Sequence, residues 1–233
     1  MNTNYLKLIN VSKNFHQNHY SINIFDNISY TFSNNTSYAL VGPSGIGKST
    51  LLYLLSGIDY PSSGTISFNG QIISSHNFEQ RIALLSQAIS IIFQHPSLIG
   101  ELSVLENVIL KSIIQNQYNE ITIKHGKNLL QEIGLDHICH NSPKTLSGGQ
   151  QQRIAILRAL CNRPSFLLAD EPTGNLDNTS AQQIIDMLFS YKEKYSMGLI
   201  ISTHNMNIAE QCDIVLQIEN TKLKHTSPAK RFL

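Results

Sequence analysis

Residues 42–49 have types and a spacing that suit phosphate binding. They read Gly-Pro-Ser-Gly-Ile-Gly-Lys-Ser, which fits the pattern G-x-x-x-x-G-K-[ST], and they lie between an apolar run at 38–41 and a leucine-rich run at 50–55. That order predicts a strand, a glycine turn and the start of a helix. The positive end of such a helix would face a bound anion. We therefore expect a nucleotide phosphate site, although an ordinary glycine-rich turn before a helix has a similar composition.

Side chains and backbone have separate expected roles in this loop. The glycines allow conformations that turn successive N–H groups toward phosphate oxygens. Lys48 is expected to reach the β- and γ-phosphates, and the Ser49 hydroxyl to ligate the Mg²⁺ ion that bridges them. The predicted phosphate-binding residues are Gly42, Pro43, Ser44, Gly45, Ile46, Gly47, Lys48, Ser49 and Thr50.

Three later apolar runs each lead to a residue that can take part in phosphate chemistry. Residues 166–169 end at Asp170 and Glu171, residues 198–202 are followed by His204, and residues 90–93 end at Gln94. Continuous apolar runs of this length are typical of buried parallel strands, whose carboxyl ends face a bound ligand. Other interpretations stay open, because a carboxylate pair can cap a helix and a histidine after a strand is usually structural.

The composition narrows the class of protein. The chain has 233 residues, of which 41% are hydrophobic, enough for one packed domain or one domain with an inserted lobe. A net charge of +1 gives no broad basic field, so nucleic acid is not an expected partner. No run approaches the ~18 apolar residues that span a bilayer, and the polar N-terminus does not resemble a signal peptide. If the protein serves a membrane process, we expect a partner to supply the membrane part.

The order of apolar runs predicts strands and helices around a parallel sheet. We expect edge strands at 5–11 and 22–32, a hairpin turn at 69–70, and core strands at 90–93, 166–169 and 198–202. Helices are expected at 51–55, 127–134 and 180–191, with a last strand at 214–218. The pattern between 96 and 143 is helical and shows no core strand, which indicates an inserted helical lobe. We interpret the basic tail at 222–233 as a solvated end.

A second stretch, residues 146–150, reads Leu-Ser-Gly-Gly-Gln and precedes a helical pattern. Ser147 and Gln150 have the spacing of a capping box, so the stretch is a good helix start in any case. Two glycines at a helix N-terminus also expose backbone donors to an anion, and an uncapped Ser147 hydroxyl could join them. This would be a second phosphate-type site without a second lysine motif.

Residues 146–150 are identical to the signature of ATP-binding cassette (ABC) ATPases, and the chain resembles that family from about residue 5 to 223. The phosphate loop, the signature and the carboxylate-ended strand occur in the family's order. The resemblance implies an α/β fold with a P-loop NTPase (RecA-like) core, an antiparallel β subdomain and an inserted α-helical subdomain. In a single domain at 1–233, it assigns 1–94 and 166–233 to the core with its β subdomain and 95–165 to the helical subdomain.

The same resemblance implies ATP, Mg²⁺ and a second copy of the ATPase subunit. In the family two subunits face head to tail, and each ATP lies between the phosphate loop of one and the signature of the other. A homodimer is therefore expected. The signature residues that would contact the partner's nucleotide are Ser147, Gly148, Gly149 and Gln150.

Individual roles carry over by position. Gln94 resembles the Q-loop glutamine, which contacts Mg²⁺ or the attacking water. Asp170 resembles the aspartate that holds Mg²⁺ through water, Glu171 the general base, and His204 the switch histidine that reaches the γ-phosphate. The implied catalytic residues are Lys48, Gln94, Glu171 and His204, and the implied metal ligands are Ser49, Gln94 and Asp170.

Phe15 is the candidate for the aromatic residue that stacks on adenine, with Tyr20 as the alternative and a plain core role for Phe15 also open.

The sequence departs from the family pattern at two positions near these motifs. Asn205 is found where the family usually has aspartate, and Ile46 replaces a common serine or cysteine. Neither change removes a phosphate, metal or water contact.

Residues 170–177, Asp-Glu-Pro-Thr-Gly-Asn-Leu-Asp, resemble a branch of the family that includes lipoprotein-releasing, macrolide- and peptide-exporting, and cell-division ATPases. That branch implies a bacterial protein held at the cytoplasmic face of the inner membrane by integral permease subunits. Residues 95–110 would form the groove that receives a permease helix, although an amphipathic helix packed only within the lobe would give the same pattern. The implied function is Mg-ATP-driven dimer closure that powers export or extraction of a lipoprotein, peptide or drug. The alternative is an ATPase that regulates cell-wall or cell-division machinery without moving a substrate.

Overall fold

The computed structural model describes residues 4–17, 20–74 and 88–226, and within them it contains two β-sheets and a set of helices. The strands are β1 (Tyr5–Gln17), β2 (Tyr20–Ser33), β3 (Ser37–Val41), β4 (Ser63–Phe68), β5 (Gln71–Ile72), β6 (Ile89–Ile92), β7 (Phe166–Asp170), β8 (Gly198–Ser202), β9 (Ile214–Glu219) and β10 (Lys222–Thr226). The helices are α1 (Lys48–Leu55), α2 (Val104–Val108), α3 (Leu110–Ile114), α4 (Glu120–Glu132), α5 (Gly148–Leu160), α6 (Asn178–Tyr195) and α7 (Met206–Ala209), with 3₁₀ turns at Asp136–Ile138 and Pro143–Thr145.

The larger sheet has the strand order β10-β9-β3-β8-β7-β6, and all of its strands are parallel except β10. Strands β3, β7 and β8 are buried at every position, as their continuous apolar runs predict. The register places Asp170 at the end of β7 opposite Ser202 at the end of β8. Because parallel strands share one direction, the residues that follow β3, β6, β7 and β8 meet at one edge of the sheet.

Two cores cover the two faces of this sheet. Ala39 and Leu167 belong to a core shared with helices α2, α4, α5 and α6. Leu40 and Leu168 belong to a second core shared with α1 and the smaller sheet. Adjacent residues on a strand point to opposite faces, so each buried strand contributes to both cores. The helices between 104 and 160 therefore pack directly against the sheet that carries the strand-end residues.

The smaller sheet is antiparallel and has the order β2-β1-β4-β5. The predicted turn at 69–70 is confirmed, because Phe68 pairs with Gln71 and both turn residues have positive φ, +48° at Asn69 and +82° at Gly70. The expected placement of the first strand was wrong. Strand β1 is an interior strand of the smaller sheet, because it pairs with β2 along one edge and with β4 along the other.

The helix predicted at 127–134 begins earlier than the hydrophobic pattern indicated. Helix α4 begins at Glu120, where the Asn119 side chain accepts from the backbone N–H of Thr122 and caps the first turn. The predicted start at residue 127 missed this turn, because Ile121 is 81% exposed and Ile123 is only half-buried, so the turn has no fully buried apolar residue. None of the helices in the described ranges is long and apolar enough to cross a membrane.

Part of the expected solvated end at 222–233 forms an additional strand, β10. Strands β9 and β10 form a hairpin, with Asn220 and Thr221 at φ of +49° and +61° in its turn. Lys222 Nζ donates to Asp26 Oδ2 at 2.9 Å, which ties this hairpin to strand β2. The hydrophobic pattern did not predict β10, because its basic side chains lie on an exposed edge where a strand needs no apolar residues. The rest of the predicted tail, 227–233, lies outside the described residues.

Candidate functional site

The loop between β3 and α1 has the backbone geometry that its glycines permit. Gly47 has a φ of +113° and directly precedes Lys48, the first residue of α1. A Cβ at Gly47 would lie 2.5 Å from Ile24 Cγ2 and 3.2 Å from Phe25 Cζ, so both the conformation and the space require glycine. The loop can thus bend tightly and still begin α1 with its N–H groups facing outward from the sheet edge.

A pocket of about 280 Å³ opens over this loop. Residues from three separate parts of the chain line it: the loop with the first turn of α1, the second residue after β6, and the first residue after β7. The lining residues are Ser44, Gly45, Gly47, Lys48, Ser49, Thr50, Gln94 and Glu171. Six of the predicted phosphate-loop residues and two of the predicted strand-end residues thus share one cavity.

Lys48 crosses the loop and brings a positive charge into this pocket. Its side chain is only 6% exposed, and Nζ donates to the carbonyl oxygens of Gly42 at 2.9 Å and Pro43 at 3.2 Å. The Glu171 carboxylate lies 3.6 Å from the same Nζ. A buried ammonium requires such partners, and it can exchange the carboxylate for a phosphate without leaving its carbonyl contacts.

The Asp170 carboxylate accepts from three hydroxyl groups. Its Oδ1 lies 2.9 Å from Ser49 Oγ and 2.6 Å from Ser202 Oγ, and its Oδ2 lies 3.5 Å from the Tyr53 hydroxyl. Burial, followed by the nearby Asp170 charge, raises the pKa of Tyr53 above its ordinary value, so the phenol is a proton donor. Carboxylate and hydroxyl oxygens are the ligands that Mg²⁺ prefers, and Asp170 and Ser49 present them side by side at the pocket edge. These two residues could therefore hold a Mg²⁺ ion.

Glu171 follows Asp170 with an unusual backbone conformation. Its φ is +43°, and its N–H donates to the carbonyl oxygen of Ser202 at 3.1 Å and to Ser202 Oγ at 3.0 Å. This left-handed turn directs the Glu171 side chain into the pocket, where Oε2 lies 3.3 Å from His204 Nδ1. Left-handed backbone at a residue other than glycine costs free energy and occurs often at functional sites.

His204 and Asn205 follow strand β8 at the rim of the site. The His204 side chain is 69% exposed, so its contact with Glu171 leaves the ring accessible from solvent. Asn205 takes a structural role, because its side chain accepts from the N–H of Asn207 at 2.9 Å and caps helix α7. The substitution at this position therefore keeps the local turn that follows His204.

The predicted signature residues lie apart from this pocket. Ser147 Oγ accepts from the N–H of Gln150 at 3.3 Å, and Gln150 Oε1 accepts from the N–H of Ser147 at 3.0 Å, which is the full capping box at the start of α5. Ser147 and Gly148 are exposed. Within one chain the signature therefore contributes no residue to the pocket lining, and its hydroxyl is engaged in its own helix.

The candidate adenine contact also lies outside the lining. Phe15 is in strand β1 and is 43% exposed, and Lys13 Nζ lies 4.7 Å from the centre of its ring. Lys13 is itself buried and bound to Asp59 Oδ1 at 2.7 Å, so it supports one face of the ring and leaves the other available. Tyr20 is the first residue of β2, and the structure describes only its backbone.

Sequence reasoning missed Ser202 and Tyr53 as members of the site. Tyr53 is four residues after Ser49 on helix α1, so both face the same way, and Ser202 is a polar residue inside an apolar strand two positions before His204. Both signals were present in the sequence. Their meaning depends on Asp170, which is 117 residues from Tyr53 and 32 from Ser202 along the chain.

A comparison with known families decides the class of the protein. The sequence model of a family described as ABC transporter matches residues 25–174, well over half of the chain. The chain belongs to this family. The chain is thus an ATP-binding ATPase subunit that uses ATP with Mg²⁺, and the expected fold class is confirmed. As a member of the ABC transporters it acts with a second ATPase subunit and with membrane permease partners.

Curated relatives and solved structures match nearly the whole chain. The lipoprotein-releasing system ATP-binding protein LolD of Wigglesworthia glossinidia brevipalpis is 40% identical over 222 residues, covering 94% of this chain and 95% of the relative. The uncharacterized ABC transporter ATP-binding protein YbbA of Escherichia coli K12 is 37% identical over 221 residues, covering 95% and 97%. A dimeric post-hydrolysis structure of the ATP-binding cassette MJ0796 bound to ADP and Pi has a TM-score of 0.87 and 29% identity, covering 97% of this chain and 100% of that one.

Proposed function

We propose that two copies of this chain hydrolyse ATP at the cytoplasmic face of a bacterial inner membrane and thereby drive a permease that extracts lipoproteins. ATP hydrolysis is supported chiefly by one observation, that Lys48, Gln94 and Glu171 line the same pocket. The likeness to LolD proteins, at 40% identity over most of the chain, supports lipoprotein as the cargo. Helices α2 to α5 lie between β6 and β7, which supports 95–165 as the helical subdomain and the remainder as the core.

The proposed roles follow the geometry of the pocket. Lys48 and the loop N–H groups hold the phosphates, and Lys48 exchanges its contact with Glu171 for the γ-phosphate. Ser49, Gln94 and Asp170 would hold Mg²⁺, which would supply positive charge to neutralise the phosphates. Glu171 accepts a proton from the attacking water. Catalysis then depends on alignment and on neutralising charge.

Two further groups act on the same nucleotide. His204 Nδ1 lies 3.3 Å from Glu171 Oε2, close enough to orient the base and to reach toward the γ-phosphate. We assign the open face of the Phe15 ring to adenine, because Lys13 already covers the other side. Phe15→Ala should weaken ATP binding several-fold and Phe15→Tyr should preserve it, as measured by titration with a fluorescent ATP analogue. Equal affinity in all three proteins would contradict this assignment.

The position of the signature supports the homodimer. Residues Ser147 to Gln150 are absent from the pocket lining of their own chain, and Ser147 and Gly148 are exposed to a partner. Disulfide cross-linking tests this arrangement. Cysteines are introduced by Ile46→Cys in the phosphate loop and Thr145→Cys beside the signature, in protein that also carries Glu171→Gln to prevent hydrolysis. We expect an oxidised dimer only with Mg-ATP present. A cross-link that is independent of ATP, or none at all, would contradict head-to-tail closure.

Lipoprotein extraction is tested by reconstitution. The chain is combined in proteoliposomes with the permease subunits that co-purify with it and with a fluorescent lipoprotein. We expect ATP-dependent release of the lipoprotein to a soluble acceptor, and no release with Glu171→Gln. Normal ATP hydrolysis without release would contradict the cargo, and activation of murein hydrolases in its place would support the regulatory alternative.

A further inference from the structure

One hydroxyl group joins the two carboxylate residues at the end of β7. Ser202, the last residue of β8, has no exposed surface. Its Oγ donates to Asp170 Oδ1 at 2.6 Å and accepts from the N–H of Glu171 at 3.0 Å. We propose that Ser202 is a positioning residue that fixes the Mg²⁺-binding carboxylate of Asp170 and the backbone of Glu171 in one arrangement. This inference rests on the metal role proposed above for Asp170.

The strand pairing fixes where this hydroxyl lies. Asp170 and Ser202 are opposite each other in the parallel register of β7 and β8, so Ser202 Oγ is held beneath the carboxylate by backbone pairing. A distance of 2.6 Å is typical of a charge-assisted O–H···O⁻ hydrogen bond, which is about twice as strong as a neutral one. The donor and an acceptor position of the hydroxyl are both used. Rotation of the Asp170 carboxylate would therefore break a strong bond inside a closed environment.

The other two hydroxyls at Asp170 are less suited to this task. Ser49 Oγ lies 2.9 Å from Asp170 Oδ1, but it is itself a proposed metal ligand at the pocket surface, so its contact depends on the ion. The Tyr53 hydroxyl lies 3.5 Å from Oδ2, at the limit of a hydrogen bond. Ser202 is thus the strong, buried donor whose contact does not depend on the metal. Outer-shell donors of this kind orient ligands and commonly change metal affinity by about 10–100-fold.

The alternative is a purely structural role, in which the two hydrogen bonds of Ser202 only compensate for the burial of its hydroxyl group. Removal of Oγ would leave no buried group without a partner, because Glu171 N–H still donates to the carbonyl of Ser202 at 3.1 Å and Asp170 Oδ1 still accepts from Ser49. Ser202→Ala should therefore fold with a small loss of stability. A positioning role then appears as lost metal affinity in a protein that is otherwise intact.

Ser37 provides a matched control elsewhere in the same sheet. It is 1% exposed, its Oγ donates to Asp213 Oδ2 at 2.7 Å, and it accepts from the N–H of Asp213 at 2.9 Å. Ser37 and Ser202 thus make the same pair of contacts to an aspartate and a backbone N–H. Ser37 does not line the nucleotide pocket. Ser37→Ala measures what the loss of such a hydroxyl does to stability alone.

The experiment uses the full chain with ADP and Mn²⁺ as the probe, and it measures bound Mn²⁺ by electron paramagnetic resonance. We expect Ser202→Ala to raise the Kd for Mn²⁺ about tenfold, at the low end of outer-shell effects, with ADP affinity in EDTA unchanged. Ser202→Thr, which keeps the hydroxyl, should stay within about twofold of the parent protein. Ser37→Ala should lower Tm and leave the Kd for Mn²⁺ unchanged. If Ser202→Ala does not fold, Ser202→Cys replaces it with the same expected loss, because a thiol is a weak donor.

Two results would overturn the proposal: an unchanged Mn²⁺ Kd in Ser202→Ala, or equal loss in Ser202→Ala and in a folded Ser202→Thr. Asp170→Asn distinguishes the positioning role of Ser202 from the metal role of Asp170 on which it rests. Unchanged Mn²⁺ affinity in Asp170→Asn contradicts the metal role of Asp170 itself. A loss in Asp170→Asn together with no change in Ser202→Ala contradicts only the positioning role of Ser202.

Discussion

Replacement of Glu171 by glutamine separates catalysis from nucleotide binding in the pocket. The change removes a negative charge and keeps the shape of the side chain. Lys48 retains its bonds to the carbonyl oxygens of Gly42 and Pro43 at 2.9 and 3.2 Å, so the pocket should keep its form. If Glu171 is the general base, turnover should fall by about 10²–10⁴, which corresponds to roughly 2.7–5.4 kcal/mol in the barrier.

The same substitution should strengthen ATP binding. Glu171 Oε1 lies 3.6 Å from Lys48 Nζ, and at an effective dielectric constant near 20 the attraction between these charges is about 4–5 kcal/mol. The Glu171 side chain is 23% exposed in an open pocket, so water compensates most of this energy when the pair separates. We take about 1 kcal/mol as the net free energy needed to separate Glu171 from Lys48 when ATP binds. In Glu171→Gln this cost is absent, so the Kd for ATP should fall about fivefold.

The assay pairs phosphate release with titration of a fluorescent ATP analogue. Glu193→Gln is the matched control, because Glu193 Oε1 lies 2.8 Å from the buried Lys192 Nζ in helix α6, outside the lining of the pocket. The control should keep both turnover and ATP affinity. Turnover of Glu171→Gln within twofold of the parent protein would refute the role of base. Weaker ATP binding in that variant would show instead that Glu171 holds Lys48 in place.

Three more predictions follow from other contacts. Lys48→Ala should raise the Kd for ATP at least tenfold while the chain stays folded, because the loop loses its one described side-chain cation; unaltered affinity by titration would contradict the phosphate role. Burial alone would raise the pKa of Glu132, but hydrogen bonds from Lys194 and Tyr191 outweigh it and lower this pKa below its ordinary value. The stabilisation from these bonds is therefore full above the unfolded pKa and is lost as pH falls through the lower folded pKa. Urea unfolding at pH 7 and pH 3 should therefore show a smaller loss of stability on acidification in Glu132→Gln than in the parent protein, by about 0.5 kcal/mol for so exposed a pair. An equal loss in the two proteins would count against the contact. Gly64→Ala should cost several kcal/mol or prevent folding, because Gly64 has a φ of +83° and its Cβ would overlap a backbone carbonyl of β1; a normal Tm would disprove this packing.

The sequence by itself located the parts of the site that are encoded locally. The glycine loop, the apolar strands and the turn at 69–70 could be predicted because each depends on the backbone preferences of a few adjacent residues. The capping-box spacing of Ser147 and Gln150 predicted a helix start for the same reason. Exposed edges were harder, since β10 has Leu223 as its one apolar residue and the first turn of α4 has no fully buried side chain.

The tertiary structure decided which of these parts touch. Ser49 and Asp170 are 121 residues apart in the chain, and Asp170 and Ser202 are 32 apart, yet the order and register of the parallel strands place all three within hydrogen-bond distance. The tertiary structure also placed β1 inside the smaller antiparallel sheet and left the signature residues outside the pocket of their own chain. Contacts between distant residues depend on how strands pair and layers pack, and no local pattern in the sequence specifies either.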